Sequence, residues 1–377
     1  MATLKKFTRR FLLVSNIIVV ILFFAACANA FLSPAKWWLI SLLGLLFPLL
    51  LLLVLVFFVG WMFSPARRWA LLSLAALVLG WKNIHSFLAF NAGAGFSTEK
   101  PDHSLRVLTW NVRRWDEFIP KKEGGGVHRR KMMEFLAAQK ADVMCFQEFF
   151  ESHMPKEYAG NIGYIRDSLH YPYYYFSEDY RRYDGAFETG VIIFSRYPIL
   201  QTFRTRYNHL DTVRAAESLI AADISIGKQT IRLFTTHLQS VLFHSKDYHN
   251  LAIIRNGDDS LLQASRSIVK KLRRAYSIRG DQADTVRARL DLSSFPAIVC
   301  GDFNDVPNSY TYFRIRGDRQ DAFIQKGFGI GRTFAHISPT LRIDYIFADP
   351  VFKVLQCRRF TLPYSDHHPV IADLQLP

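Results

Sequence analysis

The sequence predicts a mixed α/β domain preceded by a region of membrane-spanning helices. Two observations predict this division of the 377 residues. No charged residue lies between Arg10 and Lys36, or between Lys36 and Arg67. From Leu105 onward, short apolar runs alternate with helical patterns. We therefore expect a membrane region over residues 1–95 and a second domain over residues 101–377.

Three apolar segments, at about 11–32, 37–60 and 69–90, are predicted to form the helices of the membrane region. The first two exceed the ~20 apolar residues that cross a ~30 Å hydrocarbon core. The third contains Lys82 in its last third, and a lysine there can extend to the interface of a spanning helix. A helix lying on the membrane surface is the alternative for this segment.

The lysines and arginines that flank the segments predict their orientation. Such residues concentrate on the cytoplasmic side of a membrane. One basic cluster precedes the first segment and another follows the second: Lys5, Lys6, Arg9 and Arg10, then Arg67 and Arg68. Three spans then place the second domain outside, and we expect a multi-pass protein of the plasma (inner) membrane with an extracytoplasmic domain.

The first segment has a second interpretation, a signal peptide cleaved after Ala28-Asn29-Ala30. Two more apolar stretches follow at once, which favours an uncleaved first helix. The four cysteines form no Cys-x-x-Cys pair, so the sequence predicts neither a disulfide framework nor a structural zinc site.

Net charge is unevenly distributed along the chain. The total is +15, of which residues 1–100 contribute +8, leaving +7 for the remainder. A moderately basic second domain suits an anionic substrate or an anionic bilayer surface, and charge does not select between them.

The second domain is predicted from its alternating elements. His128 to Lys140 has a helical pattern. The strands are predicted at Arg106 to Asn111, Asp142 to Gln147, Gly190 to Ser195, Ala216 to Ile226, Thr230 to His237 and Ala297 to Cys300. Periodicity alone indicates only a mixed α/β domain, large enough to form one core.

Six short motifs lie mostly at the ends of these strands, where loops can bring polar groups together. They are Thr109-Trp110-Asn111-Val112, Gln147-Glu148, Thr236-His237-Leu238, Gly301-Asp302-Phe303-Asn304-Asp305, Arg342-Ile343-Asp344-Tyr345 and Ser365-Asp366-His367-His368-Pro369. Each alone has an ordinary structural explanation, such as a turn or a helix cap. In this order they supply the groups that metal-assisted attack on a phosphate ester requires.

Over roughly Leu105 to Leu376, these motifs resemble the endonuclease/exonuclease/phosphatase family, which includes DNase I, AP endonucleases, neutral sphingomyelinases and inositol polyphosphate 5-phosphatases. The resemblance implies a DNase I-like sandwich of two mixed sheets flanked by helices, with the site at one edge. It also implies a phosphodiesterase or phosphatase that uses Mg²⁺ or Mn²⁺, and residues 101–377 as the catalytic domain.

The resemblance also implies roles for individual residues. The expected metal ligands are Asn111, Glu148 and Asp366, because Mg²⁺ and Mn²⁺ prefer oxygen ligands. His367 is the expected general base, and Asp344 would orient its ring. Asp302 and Asn304 would position the nucleophile and the phosphoryl oxygen, and His237 would bind the phosphate or protonate the leaving oxygen. His368 receives no role.

Substrate is open at this point. AP endonucleases have a tyrosine-containing motif where this chain has Thr236-His237-Leu238, which disfavours abasic-site repair. A nucleic acid and a phospholipid or inositol phosphate are the two candidate substrates, and the predicted anchor in a lipid bilayer favours a lipid headgroup. A catalytically inactive, membrane-tethered module that binds a phosphate ligand is the alternative function. No protein partner is predicted.

Four further segments receive structural interpretations. Gly124-Gly125-Gly126 and the glycines of 327–331 are expected to be loops rather than phosphate-binding turns. Tyr171 to Phe176 is expected to be an edge strand leading into an exposed loop, with base stacking as the alternative. Lys270 to Arg274 is expected to be the solvated face of a helix, with contact to lipid headgroups or nucleic acid as the alternative.

Overall fold

The computed structural model describes residues 2–93, 95–117, 126–154, 158–207, 217–241, 247 and 261–376. These residues form two structural units, and apolar helices form much of the first. The first unit comprises Met1–Leu88, Val241–Asp281 and Val306–Arg314, and the second comprises the remainder. The first unit therefore takes two segments from the part of the chain that lies beyond residue 100.

The first unit begins with α1 (Ala2–Ala28), which is long and apolar enough to cross a membrane. Four shorter helices follow: α2 (Pro34–Leu45), α3 (Phe47–Met62), α4 (Ala70–Leu79) and α5 (Trp81–Phe87). The chain bends by 55° between α2 and α3, and by 62° between the 67–79 segment and α5. Up to three spans result if each bent pair counts as one.

The two bends divide the second and third predicted helices, and each bend has a local cause. Pro48 lies in the first turn of α3; it has no backbone N–H to continue the hydrogen bonding of α2, and its ring would clash with the carbonyl four residues earlier in a continuous helix. Gly80 separates α4 from α5, and a Cβ at this position would lie 2.5 Å from the Phe23 ring. Only glycine permits this close approach to α1.

Residues 241–281 and 306–314 complete the first unit. The first of these segments includes the beginning of α7 (Leu261–Asp291), and the second includes the beginning of α8 (Tyr310–Arg316). Asn308 lies at the centre of a buried polar cluster, because it accepts from the Asn83 side chain at 2.6 Å and donates to the Ala26 carbonyl at 3.0 Å. Asn29 in turn donates to the Asn308 carbonyl at 2.9 Å.

The second unit contains two six-stranded mixed sheets. The first sheet has the order β13-β14-β2-β3-β5-β4, with β2 and β3 parallel. Its strands are β2 (Ser104–Asn111), β3 (Val143–Ser152), β4 (Tyr173–Arg182), β5 (Phe187–Ser195), β13 (Lys353–Arg359) and β14 (Val370–Gln375).

The second sheet has the order β10-β12-β9-β8-β7-β6, with β8 and β9 parallel. Its strands are β6 (Ile199–Thr205), β7 (Glu217–Ile226), β8 (Gln229–His237), β9 (Ala297–Asp302), β10 (Gln320–Asp321) and β12 (Asp344–Ala348). A short ribbon joins β1 (Ala89–Phe90) to β11 (Phe328–Gly329), next to α9 (Ala322–Lys326). The predicted strands are confirmed over the described residues, except that Asp142 precedes β3. Ala216, the first residue of one predicted strand, and Gly124 and Gly125, of a predicted loop, lie outside the described residues.

The two sheets pack face to face, because one apolar cluster draws buried side chains from both. Val107 and Cys145 of the first sheet join Leu233 and Ile298 of the second. Side chains alternate between the faces of a strand. The intervening Leu108 therefore points to the other face, where it clusters with Met132 of α6 (Val127–Gln139). Strand β2 is therefore buried on both faces along its whole length, including its polar residues.

The aromatic run at 171–176 leads into β4, the edge strand of the first sheet. The ends of the central strands have a different character. There the polar motif residues interrupt otherwise apolar, buried sequences at one end of the sandwich.

Candidate active site

The ends of β2 and β3 bring the first two motifs together. The strands are parallel, and their register pairs Asn111 with Gln147, so Glu148 lies one residue further along. The pairing of β3 with β5 is irregular between Phe146 and Phe149, and Glu148 has a positive φ of 48°. A bulge of this kind redirects a side chain. The Asn111 side-chain nitrogen lies 3.4 Å from Glu148 Oε1.

Three further motifs meet across the second sheet. The register aligns His237 of β8 with Asp302 of β9, and Asp302 with Asp344 of β12. Gly301 precedes Asp302 with a φ of +134°, and a Cβ there would lie 2.2 Å from the Thr236 carbonyl oxygen. Glycine is therefore required for this approach of the two strands.

Asp302 is the centre of the buried part of the site. Its Oδ2 accepts a hydrogen bond from the Asn111 side chain at 3.0 Å, which links the two sheets. The same oxygen lies 3.6 Å from Nε2 of both His237 and His367. Its Oδ1 accepts from the Asn304 backbone N–H at 2.9 Å. Burial raises the pKa of Asp302, and the His367 charge opposes this shift.

His367 and Asp344 form an oriented pair. Nδ1 of His367 lies 3.1 and 3.0 Å from the two oxygens of Asp344, and both side chains are buried. Trp110 donates its indole N–H to the His367 carbonyl at 2.9 Å, which fixes the backbone. Burial lowers the pKa of His367, but the charges of Asp344 and Asp302 outweigh it and raise the pKa well above its usual value. Nε2 is thus left facing Asp302.

Glu217 is a site residue that the sequence motifs did not indicate. It begins β7 opposite His237, and its Oε2 lies 3.3 Å from His237 Nδ1. The same carboxylate oxygen accepts from the Glu148 backbone N–H at 2.9 Å. The sequence feature that could have indicated Glu217 is its position as an acidic residue at the terminus of a largely apolar strand, because most motif residues also lie at strand termini.

The environment of His237 combines burial with negative charge. Burial lowers the pKa of His237, but the Glu217 carboxylate and the charges of Asp302 and Glu148 outweigh it and raise the pKa to about 9. Neither ring nitrogen has an aligned hydrogen-bond partner among the described residues. Nδ1 faces Glu217, and Nε2 lies 3.6 Å from the nearest Asp302 oxygen, so the buried cation keeps Nε2 as a donor for an anionic oxygen.

Of the expected metal ligands, Glu148 and Asp366 lie in the more open part of the site, whereas Asn111 is buried and its Oδ1 accepts from the Arg113 backbone N–H at 3.0 Å. Ser365 donates its hydroxyl to the Asn111 carbonyl at 2.9 Å, which holds Asp366 beside β2. The side chains of Glu148 and Asp366 are 27% and 25% exposed. Solvent and an ion can therefore reach both carboxylates.

Two guanidinium groups lie beside these carboxylates, in positions that a metal cation could also occupy. Arg113 Nε lies 3.6 Å from Asp366 Oδ2, and an Arg114 Nη lies 3.8 Å from Glu148 Oε2. Both arginines are at least one-third exposed, so these are loose ion pairs that a divalent ion can displace. The carboxylates balance positive charge here, and their hard oxygens are the donor type that Mg²⁺ and Mn²⁺ take.

A different group, Asp302, Asp344 and His367, also has ligand atoms within 4.8 Å of one another. It differs from the expected metal-ligand set. Both Asp344 oxygens contact His367 Nδ1, so that nitrogen and those oxygens already satisfy each other. This contact accounts for the Asp344 oxygens, and the metal-ligand set Asn111, Glu148 and Asp366 stays a prediction.

His368 lies outside this arrangement. Its Nδ1 accepts from the Leu362 backbone N–H at 3.5 Å, and burial lowers its pKa to about 4. It is neutral at physiological pH and belongs to the packing beside the site.

Comparisons with known proteins give two family matches and several similar folds. A family model described as the endonuclease/exonuclease/phosphatase family matches residues 108–367, and one described as a domain of unknown function (DUF8431) matches residues 9–87. The structure of an endonuclease/exonuclease/phosphatase from Beutenbergia cavernae is similar at 19% identity and a TM-score of 0.51, covering 73% of this chain and 72% of that chain.

A second solved structure, an endonuclease/exonuclease/phosphatase family protein from Leptotrichia buccalis, is similar at 16% identity and a TM-score of 0.50. The similarity covers 72% of this chain and 99% of that one. No curated protein matches the chain. The family model covers more than half of the sequence and contains all the motif residues from Asn111 to His367. The chain therefore belongs to the endonuclease/exonuclease/phosphatase family, whose members are metal-dependent phosphoester hydrolases.

Proposed function

We propose that this protein is a membrane-anchored phosphodiesterase or phosphatase that cleaves its substrate by in-line attack of water. The observation that carries the proposal is the His367–Asp344 pair: Nε2 of His367 faces Asp302, which also accepts a hydrogen bond from Asn111 of the other sheet. A general base needs a defined tautomer and a partner that stabilises its charged form, and Asp344 provides both.

The roles follow from the positions of the groups. In its neutral form, His367 takes the proton of the attacking water at Nε2, and Asp344 stabilises the resulting imidazolium. Asp302 and Asn304 orient the water and the phosphoryl group. His237, held cationic by Glu217, binds a phosphoryl oxygen or gives a proton to the leaving oxygen.

Asn111, Glu148 and Asp366 would hold Mg²⁺ or Mn²⁺. The ion would supply Lewis-acid stabilisation of the charge on the phosphoryl oxygens. The neighbouring Arg113 and Arg114 add positive charge at the open part of the site, which suits a polyanionic substrate.

The arrangement of the helical unit supports a protein that crosses the membrane more than once. Asn29 after α1 and Asn83 of α5 both hydrogen-bond to Asn308, so the ends of these two helices lie at the same end of the first unit. With each bent pair counted as one span, the chain crosses three times and leaves the bilayer opposite Lys5 and Lys6. The positive-inside rule then makes the catalytic unit extracytoplasmic, at the plasma (inner) membrane.

A lipid-headgroup phosphodiester is the favoured substrate, and an extracytoplasmic nuclease is the second candidate. The chain passes directly from Asp305, the last residue of the catalytic Gly301 motif, to Val306 of the helical unit. An anchor connected to the motif in this way would keep the site close to a bilayer.

The test uses the full chain in nanodiscs, because residues 241–281 and 306–314 belong to the helical unit and a fragment beginning at 101 would lose their partners. Hydrolysis of plasmid DNA, sphingomyelin, phosphatidylinositol phosphates and bis(p-nitrophenyl) phosphate is measured with Mg²⁺, with Mn²⁺ and with chelator. Chelator-sensitive cleavage of one class identifies the substrate. Folded protein that binds a phosphate ligand and cleaves none of them would instead support an inactive binding module.

A further inference from the structure

The part of α7 that belongs to the first unit carries a basic face. Arg266, Lys270 and Arg273 are exposed and recur at intervals of four and three residues, which places them on one side of a helix. Ile268 and Ala275 are buried on the other side. The adjacent Lys271 is already paired with Asp247, at 2.6 Å. The three-residue basic face has no acidic residue within it.

Contacts inside the first unit locate this face. The Arg273 guanidinium lies over the Trp38 ring, 5.2 Å from its centroid. Gly280 approaches Pro34 so closely that a Cβ there would lie 3.0 Å from the proline ring. Pro34 and Trp38 lie in the first two turns of α2, where the chain enters its second apolar segment. The basic face of α7 therefore lies beside the end of the apolar helices.

The same end of the unit has the composition of a membrane interface. Trp37 is 53% exposed and Phe31 is 72% exposed. The Lys82 ammonium lies 5.5 Å from the Phe31 ring and 5.6 Å from the Phe313 ring. Tryptophan and lysine at the ends of apolar helices are typical of the level of the lipid headgroups.

We propose that Arg266, Lys270 and Arg273 form a binding surface for anionic phospholipid headgroups. This inference goes beyond phosphate ester hydrolysis and rests on the proposed insertion of the apolar helices in a bilayer. The ammonium and guanidinium groups bind lipid phosphates, and the surface is continuous with apolar helix ends that a nucleic acid would not contact. Basic residues in a large translocated domain do not conflict with the orientation, since the positive-inside rule concerns short loops.

The test measures lipid selectivity of the full chain in phosphatidylcholine nanodiscs that contain a trace of spin-labelled phosphatidylglycerol or spin-labelled phosphatidylcholine. We expect the motionally restricted lipid at the protein to favour phosphatidylglycerol, and added salt to weaken the preference. In R266Q/K270Q the preference should fall by about fivefold for each basic side chain removed. Equal restriction of the two lipids by the unaltered protein would overturn the proposal.

Two control variants make the result specific. K228Q/K353Q removes the same charge from exposed lysines of the second unit and should retain the preference; an equal loss would show diffuse attraction and overturn the proposal. R266K/K270R keeps the charge and should also retain the preference for phosphatidylglycerol. Hydrolysis of a soluble phosphodiester by R266Q/K270Q reports that the variant is folded.

Two other outcomes separate this inference from its premises. If the full chain does not float with neutral vesicles, membrane insertion is refuted, and the lipid proposal is refuted with it. The proposal of phosphate ester hydrolysis would not be affected by that result. If R266Q/K270Q loses affinity for single-stranded DNA but keeps the phosphatidylglycerol preference, the surface is a nucleic-acid site and the lipid proposal is wrong.

Discussion

Two buried polar clusters, one in each unit, are built from different chemical groups. In the helical unit, Asn83, Asn308 and Asn29 hydrogen-bond to one another and to backbone carbonyls. In the catalytic unit, the buried groups are ionisable, and Asp302 and His367 have pKa values raised from their usual range. Neutral amides donate to one another and to backbone carbonyls, which holds chain segments together. Buried acids and bases whose charges depend on their neighbours are typical of active sites.

This contrast predicts that changes in the ionisable cluster affect the rate, whereas changes in the amide cluster affect stability. The largest effect is expected at His367. His367→Gln fills a similar volume but cannot accept the proton of the attacking water, so we expect the rate to fall about 10²–10⁴-fold. The measurement is metal-dependent hydrolysis at saturating metal.

The matched control for this variant is His103→Gln. His103 is exposed and precedes the first residue of β2, at the opposite end of that strand from Asn111, so its replacement should leave the rate unchanged. A His367→Gln protein with the full rate would refute the assignment of the general base.

The next largest effect is expected for metal binding. Glu148→Gln removes a charged oxygen ligand, so the Mg²⁺ concentration for half-maximal activity should rise about 10–100-fold, the range seen when groups around a metal are altered. Glu134→Gln, an exposed change of the same type on α6, is the control and should have no effect. An unchanged metal requirement in Glu148→Gln would exclude Glu148 as a ligand and favour the buried Asp302 group.

A smaller, pH-dependent effect is expected at Glu217. The pKa of His237 is raised to about 9, so His237 is cationic at neutral pH and becomes neutral as the pH rises through that value. If the cation binds the phosphate, activity should decline above about pH 9. Glu217→Gln removes the charge that raises this pKa, and the decline should move to lower pH.

The measurement is kcat/KM against pH for the unaltered and Glu217→Gln proteins. An alkaline decline at the same pH in both would mean that another group titrates there. A uniform loss of activity without a shift would assign Glu217 a packing role, through its bond to the Glu148 backbone.

The smallest effect on catalysis is expected in the amide cluster. Asn83→Ala leaves Asn308 Oδ1 buried without its donor, which should cost about 1–3 kcal/mol of folding stability. The thermal midpoint should fall, while the pH profile and metal requirement of the folded fraction stay the same. A shifted pH profile would show that the amide cluster also controls the ionisable one.

Much of the catalytic fold was predictable because its strands are locally encoded. Strands such as β3 and β9 are buried on both faces, so each is a short apolar run that ends in polar motif residues. The family motifs named the residues that the structure brings together, among them Asn111, Asp302 and His367. Their individual roles stay predictions.

Glu217 was not predictable in the same way. Its sequence position shows only an acidic residue at the start of an apolar strand, and its partner His237 is set by the pairing of β7 with β8. Register between strands depends on packing across the sheet, which no short motif records.

The sequence by itself determined the apolar segments, the strands and the order of the catalytic motifs, because hydrophobic periodicity and residue type are local properties. Only the tertiary structure decided which distant groups meet. It bent the helices at Leu46 and Gly80, added residues 241–281 and 306–314 to the helical unit, and placed Arg273 over Trp38. These features depend on close packing between segments far apart in the chain, where the free energy of burial and of paired polar groups selects one arrangement.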